Sequence, residues 1–158
     1  MDVAKNKSAK QMFDCICRYF DGIDWKYQKD DEKKIVKFGV NGNDFEMNFL
    51  WLVDEERQLI RIISTLPFKM SEEKRVEGAV LTSYINYKTV NGSFDFDITD
   101  GTIMFRMAQS FWGSILGDDV FGYLNHCSIQ TVEEYNDMLF MLSKGMMSVE
   151  DCIKKINE

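Results

Sequence analysis

The stretch FDFDITDGTIMFRM, residues 94–107, carries the clearest fold signal in the chain. Phe94, Phe96 and Ile98 alternate with polar residues, and this period of two is typical of a β-strand with one buried face. The following Asp100-Gly101 favours a two-residue turn, because glycine readily adopts the positive φ that a tight hairpin needs. The stretch therefore predicts a β-hairpin.

The turn also predicts which residues of this hairpin face each other. Apolar residues meet on one face, and an acidic residue meets a basic residue on the other. The predicted pairs are Ile98–Ile103, Phe96–Phe105, Phe94–Met107 and Asp95–Arg106. Because a single register satisfies both faces, we expect the pairing to be strongly specified.

A second hairpin is predicted around Asn41-Gly42, between two runs of alternating apolar residues at 34–40 and 44–53. Its pairing follows the same logic as that of the first hairpin. The expected pairs are Val36–Met47, Phe38–Phe45 and Lys37–Glu46. A short strand that contains Trp25 and Tyr27 precedes it.

A further strand at 58–66 is apolar on both faces, and Pro67, the only proline, is expected to end it. A strand of this kind lies in the middle of a sheet that is covered twice, or at an interface. Together with the preceding strands it completes a four-stranded meander.

The first two helices are predicted from apolar residues at helical spacing. The first covers about 9–20, after polar residues 1–7 that we expect to be frayed. The second begins after Ser71, a good N-cap residue, and ends near Thr89. Its expected inner stripe is Val76, Ala79, Val80, Ser83 and Tyr87.

Two more helices follow the 94–107 hairpin. An apolar stripe favours one long helix over 118–143, and the alternative is a break near Ser128. A short helix then begins after Ser148. The order α-ββββ-α-ββ-α-α predicts an α+β fold over 1–158 as a single domain, with an antiparallel sheet and helices mainly on one face.

Composition limits the classes of function. The chain has 158 residues, 45% of them hydrophobic, which is enough for a packed core. A net charge of −7 argues against nucleic acid as a partner, because phosphate binding needs clustered lysine and arginine. The sequence contains no apolar run long enough for a membrane span and no signal sequence, so we expect a cytoplasmic protein with no membrane contact.

The sequence predicts no catalytic residues, no cofactor and no metal ligands. His126 is the only histidine, and it lacks a nucleophile of the GxSxG type. The four cysteines form no CxxC motif, and neither type of glycine-rich phosphate loop occurs. The aspartates of the 94–107 hairpin lack the glycine and distal glutamate of a calcium loop.

The region 75–158 resembles the YbjN family of bacterial sensory transduction regulators. The resemblance lies in the helix that ends TSYINYKTVNGSFDFDITDGTIMFRM, the long helix after it, and the closing SKGMMSVEDCIKKI. It implies a fold akin to type III secretion chaperones and a non-enzymatic, protein-binding role, possible homodimerisation included. The family has no catalytic set to carry over.

Several apolar residues fall outside the alternating pattern and form our candidate partner-binding set. Three lie on nominally polar strand faces, and two lie in the link after the first hairpin. They are Leu50, Leu52, Met104, Phe111 and Trp112. An exposed cluster of this composition suits protein recognition, whereas the alternative is that a helix or the link covers it.

We therefore expect a protein-binding domain, a chaperone-like adaptor or regulator whose partner the sequence does not name. The alternative is a small-ligand-binding or enzymatic domain with a pocket between the sheet and the long helix. The inward positions of that helix are almost purely apolar, which counts against such a pocket.

Overall fold

The computed structural model describes residues 2–158. The chain forms six strands and four α-helices in the predicted order. In sequence these are α1 (Asp2–Gly22), β1 (Gln28–Asp30), β2 (Ile35–Asn41), β3 (Glu46–Asp54), β4 (Leu59–Lys69), α2 (Arg75–Lys88), β5 (Ser93–Phe96), β6 (Thr102–Ser110), α3 (Asp118–Ser143) and α4 (Val149–Ile156).

The strands form one antiparallel sheet in the order β1-β2-β3-β4-β6-β5. Short turns join the first four strands, so neighbours in sequence pair with each other. The β5–β6 hairpin then joins the meander through β6, after the chain has crossed over in α2. The predicted α+β fold, with four meander strands and a hairpin, is confirmed.

The core lies between one face of the sheet and the helices. Trp51 of β3 is 1% exposed, and its ring packs edge-on against Phe20 of α1, with 5.2 Å between ring centroids. Phe105 of β6 and Leu139 of α3 are fully buried in the same cluster. Burial of each such side chain contributes about 1.5–3 kcal/mol, so this face accounts for much of the stability.

The predicted register of the β5–β6 hairpin is wrong by two residues. Phe94 pairs with Phe105, and Phe96 pairs with Ile103. The turn is longer than two residues because Asp97 N–H donates to the Thr102 carbonyl over 2.9 Å. A shift by two residues leaves each side chain on its predicted face of the sheet. It moves Ile98 out of the strand into the turn, where its side chain is 54% exposed.

The β2–β3 hairpin also differs from its predicted register. Phe38 pairs with Phe49 rather than with Phe45. The loop is longer because Gly42 N–H donates to the Phe45 carbonyl (2.9 Å), which closes a turn over 42–45. A glutamate of α3, Glu133, accepts the Asn43 N–H over 2.7 Å, so a distant helix holds this loop.

Two predicted boundaries also change. Helix α1 begins at Asp2, so the residues expected to be frayed are helical where the structure describes them, and Met1 lies outside the described residues. Strand β4 continues through Pro67 to Lys69, because a register irregularity between Thr65 and Lys69 accommodates the proline. Helix α3 runs unbroken through Ser128, as favoured.

The predicted inner stripe of α2 is wrong. The buried residues of this helix are Gly78, Leu81, Thr82 and Ile85. Gly78 fits this orientation, because a Cβ there would lie 2.9 Å from two side-chain atoms of Met70, which would then have to shift. The more apolar stripe faces outward.

Gly101→Ala should destabilise the protein by about 1–3 kcal/mol or more, because Gly101 has a φ of +79° and an added Cβ would overlap the carbonyl of Met70. The measurement is urea unfolding followed by tryptophan fluorescence. Gly113→Ala is the control: Gly113 has a similar φ of +66° but no atom within 4 Å of an added Cβ. Equal losses in the two variants would contradict the proposed overlap.

Candidate protein-binding surfaces

The sheet has a second face that the helices do not cover. Strand side chains alternate between faces, and the helices bury only one set of them. The apolar residues of the other set that are half-buried and lie outside the core cluster are Ile35, Leu50, Leu52, Leu59, Ile63 and Met104. We call this the open sheet face.

Strand pairing brings four of these side chains together. Leu50 of β3 lies opposite Ile63 of β4, and Leu52 of β3 lies opposite Ile35 of β2. Residues paired across neighbouring strands have Cβ atoms about 5 Å apart. The four side chains therefore form a continuous apolar patch over three strands.

Three cationic residues border this apolar patch. Lys37 pairs with Leu50, Arg61 pairs with Leu52, and Arg106 pairs with Ile63. Arg106 is neutralised by Asp95, which accepts two hydrogen bonds from its guanidinium (2.7 and 3.1 Å). Because Asp95 bonds to it in this way, the pKa of Arg106 is raised further.

The other two cations have weaker partners. Lys37 is exposed and forms no ion pair with any described residue. Arg61 approaches Asp54 only at 3.9 Å. Burial disfavours the charge on Asp54, but hydrogen bonds from the Arg57 backbone and guanidinium outweigh it and lower the pKa of Asp54. Arg57 is thus the main partner of Asp54, which leaves the charge of Arg61 largely available.

The two edges of the sheet differ. At β5 the Asn86 side chain closes the edge: its amide nitrogen donates to the Phe94 carbonyl (2.9 Å), and its oxygen accepts the Phe94 N–H (2.7 Å). At the other edge β1 pairs with β2 only from Ile35 to Lys37. A cleft of about 430 Å³ lies where the strands diverge, lined in part by Gly39. An unpaired strand edge of this kind can accept further hydrogen bonds.

A second exposed apolar surface lies on α2. Val76, Val80 and Tyr87 are 69%, 49% and 82% exposed. Together with Ala79, Ser83, Tyr84, Ile98 and Ile153 they line a groove between α2, the β5–β6 turn and α4. We call this the α2 face. These are residues that we expected to be buried, and their exposure follows from the rotation of the helix about Gly78.

The predicted partner-binding residues occupy different places. Leu50, Leu52 and Met104 lie on the open sheet face. Phe111 is fully buried in the core cluster, so its side chain offers no surface to a partner. Its N–H donates to the Gln58 carbonyl (3.0 Å). Trp112 is 67% exposed but lies beside α1, with Lys5 Nζ 5.5 Å from its ring centroid.

Sequence reasoning missed Ile35, Ile63 and the α2 face. The signal for Ile63 was present, since the strand around it is apolar on both faces, but its position opposite Leu50 depends on the register of two hairpins. For α2 no local signal was available, because both stripes have helical spacing.

The buried cysteines and the buried Tyr135 belong to the core and not to these surfaces. Burial raises the pKa of the thiols of Cys17 and Cys152, which keeps them protonated and poorly nucleophilic. Burial, with the nearby charge of Glu134, raises the pKa of Tyr135 to about 12. Among the side chains of residues 4–158, no three histidine, cysteine or acidic groups converge as a metal site would require.

Apolar side chains fill the space between the sheet and α3, where the alternative placed a ligand pocket. Ile62 of β4, Leu124 and Leu139 are at most 1% exposed there and belong to the common core cluster.

None of the described helices combines the length and the apolar character that a membrane span requires.

Comparison with known proteins identifies relatives of this chain. The model of the YbjN family, described as "Putative bacterial sensory transduction regulator", matches residues 13–141. Comparison with curated protein sequences finds no significant match.

Solved structures share the fold at low sequence identity. The HopA1–SchA chaperone–effector complex contains a chain with 9% identity and a TM-score of 0.55, covering 80% of this chain and 95% of that one. The ExsC–ExsE complex gives 13% identity and a TM-score of 0.57, covering 88% and 97%. YbjN from E. coli gives 11% identity and a TM-score of 0.56, covering 80% and 92%. The expected likeness to type III secretion chaperones in fold is confirmed.

The β5–β6 turn should make stability depend on pH in acid. Hydrogen bonds from Lys69, and then from Thr102, lower the pKa of Asp100 below its ordinary value of 3.8, and bonds from Thr99 lower that of Asp97. Because both pKa values are depressed in the folded state, this stabilisation is complete above pH 3.8 and is lost as the pH falls through the folded-state values.

Asp100→Asn should therefore lose less stability than the wild type between pH 7 and pH 3, measured by urea unfolding. The amide retains an oxygen that can accept the Thr102 N–H, so the change removes mainly the charge. Asp44→Asn is the control, since Asp44 is exposed and makes no hydrogen bond to a described residue. An equal effect of both substitutions would show that the turn is not the source.

Proposed function

Because the chain belongs to the YbjN family, we propose that it is a non-enzymatic protein-binding domain that acts as a chaperone-like adaptor or regulator. The observation that supports this proposal most is the open sheet face. An antiparallel sheet with one solvated face normally carries polar residues there, yet here Leu50, Leu52 and Ile63 form its centre.

The fold has been solved elsewhere with a bound protein. One similar structure is a chaperone–effector complex, HopA1–SchA, and another is the ExsC–ExsE complex. These likenesses concern the fold alone, but they support a role in which this architecture holds another polypeptide.

The partner would bind on the open sheet face. The apolar patch over β2, β3 and β4 provides the area that is removed from water, and the surrounding cations provide a polar rim. This arrangement of an apolar centre and a polar rim is typical of protein interfaces. The uncovered edge of β2 lies next to the patch, so backbone hydrogen bonds can add to the contact.

We also propose that the α2 face joins two copies of the chain. A helix stripe can pack against the same stripe of a second copy about a two-fold axis. The exposed Val80 lies near the middle of the segment between Glu73 and Lys88. An antiparallel arrangement would therefore set Glu73 of each copy near the other copy's Lys88, so charges as well as apolar residues are self-complementary.

Leu50→Asp should remove partner binding, because it places a carboxylate in the centre of the patch. We expect a loss of about 2 kcal/mol, roughly thirtyfold in affinity, which is the size found at the few dominant residues of an interface. The measurement is quantitative mass spectrometry of proteins retained from native lysate by immobilised wild type and variant. Asn48→Asp, on the same strand and the same face, is the matched control. We expect some proteins to be retained by the wild type and by Asn48→Asp but not by Leu50→Asp. Identical retention by both variants would contradict the proposal.

Val80→Glu should dissociate the proposed dimer. Light scattering after size exclusion should give about twice the chain mass of 18.5 kDa for the wild type and a single chain mass for the variant. Leu50→Asp should leave the mass at the dimer value. A monomeric wild type would remove the dimer proposal, and dissociation by Leu50→Asp instead would move the interface to the sheet.

A further inference from the structure

The position of charge on the open sheet face points to the chemistry of its partner. We propose that this face takes an apolar polypeptide segment that carries two carboxylates about 12 Å apart, one for Lys37 and one for Arg61. This inference rests on the proposed function, since it concerns the same surface.

The first step is that these two cations adjoin the apolar patch directly. Lys37 lies opposite Leu50 on the neighbouring strand, and Arg61 lies opposite Leu52. The patch therefore has a cation on each side: Lys37 on β2, next to the sheet edge, and Arg61 on β4, toward the centre. A segment that covers the patch would contact both.

The second step is that both charges remain available. Lys37 has no ion-pair partner among the side chains of residues 4–158. Arg61 lies 3.9 Å from the Asp54 carboxylate, which it shares with Arg57. Arg106, by contrast, is held by Asp95 in a two-bond ion pair and is already neutralised. A partner gains most by supplying carboxylates to the first two residues, because an unpaired charge covered by an apolar segment would lose its water without compensation.

The third step is the contrast with the whole chain. The net charge is −7, so an acidic segment is repelled by most of this surface. Next to the apolar patch, Lys37 has no ion pair with a described side chain, and Arg57 and Arg61 share the single carboxylate of Asp54. These charges orient an acidic, apolar segment toward this place. Electrostatic complementarity of this kind supplies specificity and association rate more than affinity.

The spacing follows from sheet geometry. Lys37 and Arg61 are two strands apart and offset by two residues along the strand direction. Strand spacing of about 4.8 Å and a rise of about 3.4 Å per residue give a separation of about 12 Å. In an extended segment, residues four apart lie on the same side at about 13 Å, so Glu or Asp at i and i+4 with an apolar residue between them fits.

The experiment uses three synthetic peptides with leucine at alternate positions and two residues at i and i+4 that are Glu, Gln or Lys. Binding to the full chain is measured by fluorescence anisotropy at 20 mM and 500 mM NaCl. The Glu peptide should bind about five- to tenfold more tightly than the Gln peptide at low salt, and the Lys peptide more weakly. The difference should shrink at high salt.

A double variant, Lys37→Gln with Arg61→Gln, should abolish the preference for Glu, so that it binds the Glu and Gln peptides with equal affinity. Lys154→Gln with Lys155→Gln is the matched control, because it removes two exposed cations on α4, away from the open sheet face, and should keep the preference. Any of three results would overturn the inference. The wild type could bind the Glu and Gln peptides with equal affinity, the preference for Glu could survive in the double variant, or none of the peptides could bind.

The failures of the two proposals are distinguishable. If Leu50→Asp removes proteins captured from lysate but the peptides show no preference for Glu, only the carboxylate inference is overturned. If Leu50→Asp retains every captured protein, the proposed function of the face is lost, and the carboxylate inference with it.

Discussion

The structure depends on the alternation of side chains between the two faces of one sheet, and on helices that cover only one of them. The covered face contains Trp51, Ile62 and Phe105 and provides the core. Residues between them in sequence must point the other way, so each strand that secures the core also sets the content of the uncovered face. Leu50 and Ile63 lie outside the core cluster, and the proposed binding surface rests on this observation.

An apolar face next to a strand edge risks aggregation, and the structure limits this risk locally. Asn86 closes the β5 edge with two hydrogen bonds, and Lys37 and Arg61 surround the apolar patch with charge. The edge of β2 beyond Lys37 has no such protection. A surface that is open at one edge only, and charged at its borders, can select a partner while it avoids most others.

The order of elements, the unbroken α3 and the faces of the strands could be predicted, because they depend on local periodicity. The registers could not. The turn at 42–45 depends on Glu133 from α3, and the position of Gly101 depends on Met70, whose N–H donates to the Gly101 carbonyl over 2.8 Å. The orientation of α2 depends on the close approach at Gly78. The strand pattern predicted Leu50, Leu52 and Met104 of the open sheet face. The exposure of the α2 face could not be predicted, because it depends on how the helix packs in the tertiary structure.

The most direct test is to measure which methyl groups a soluble paramagnetic probe reaches in the protein, by NMR at low concentration. The account predicts strong broadening for Leu50, Leu52 and Ile63, and protection for Val53 and Ile62 on the opposite face. Protection of the first group in the dilute, unbound protein would show that the chain covers its own sheet, and the proposed binding surface would not exist.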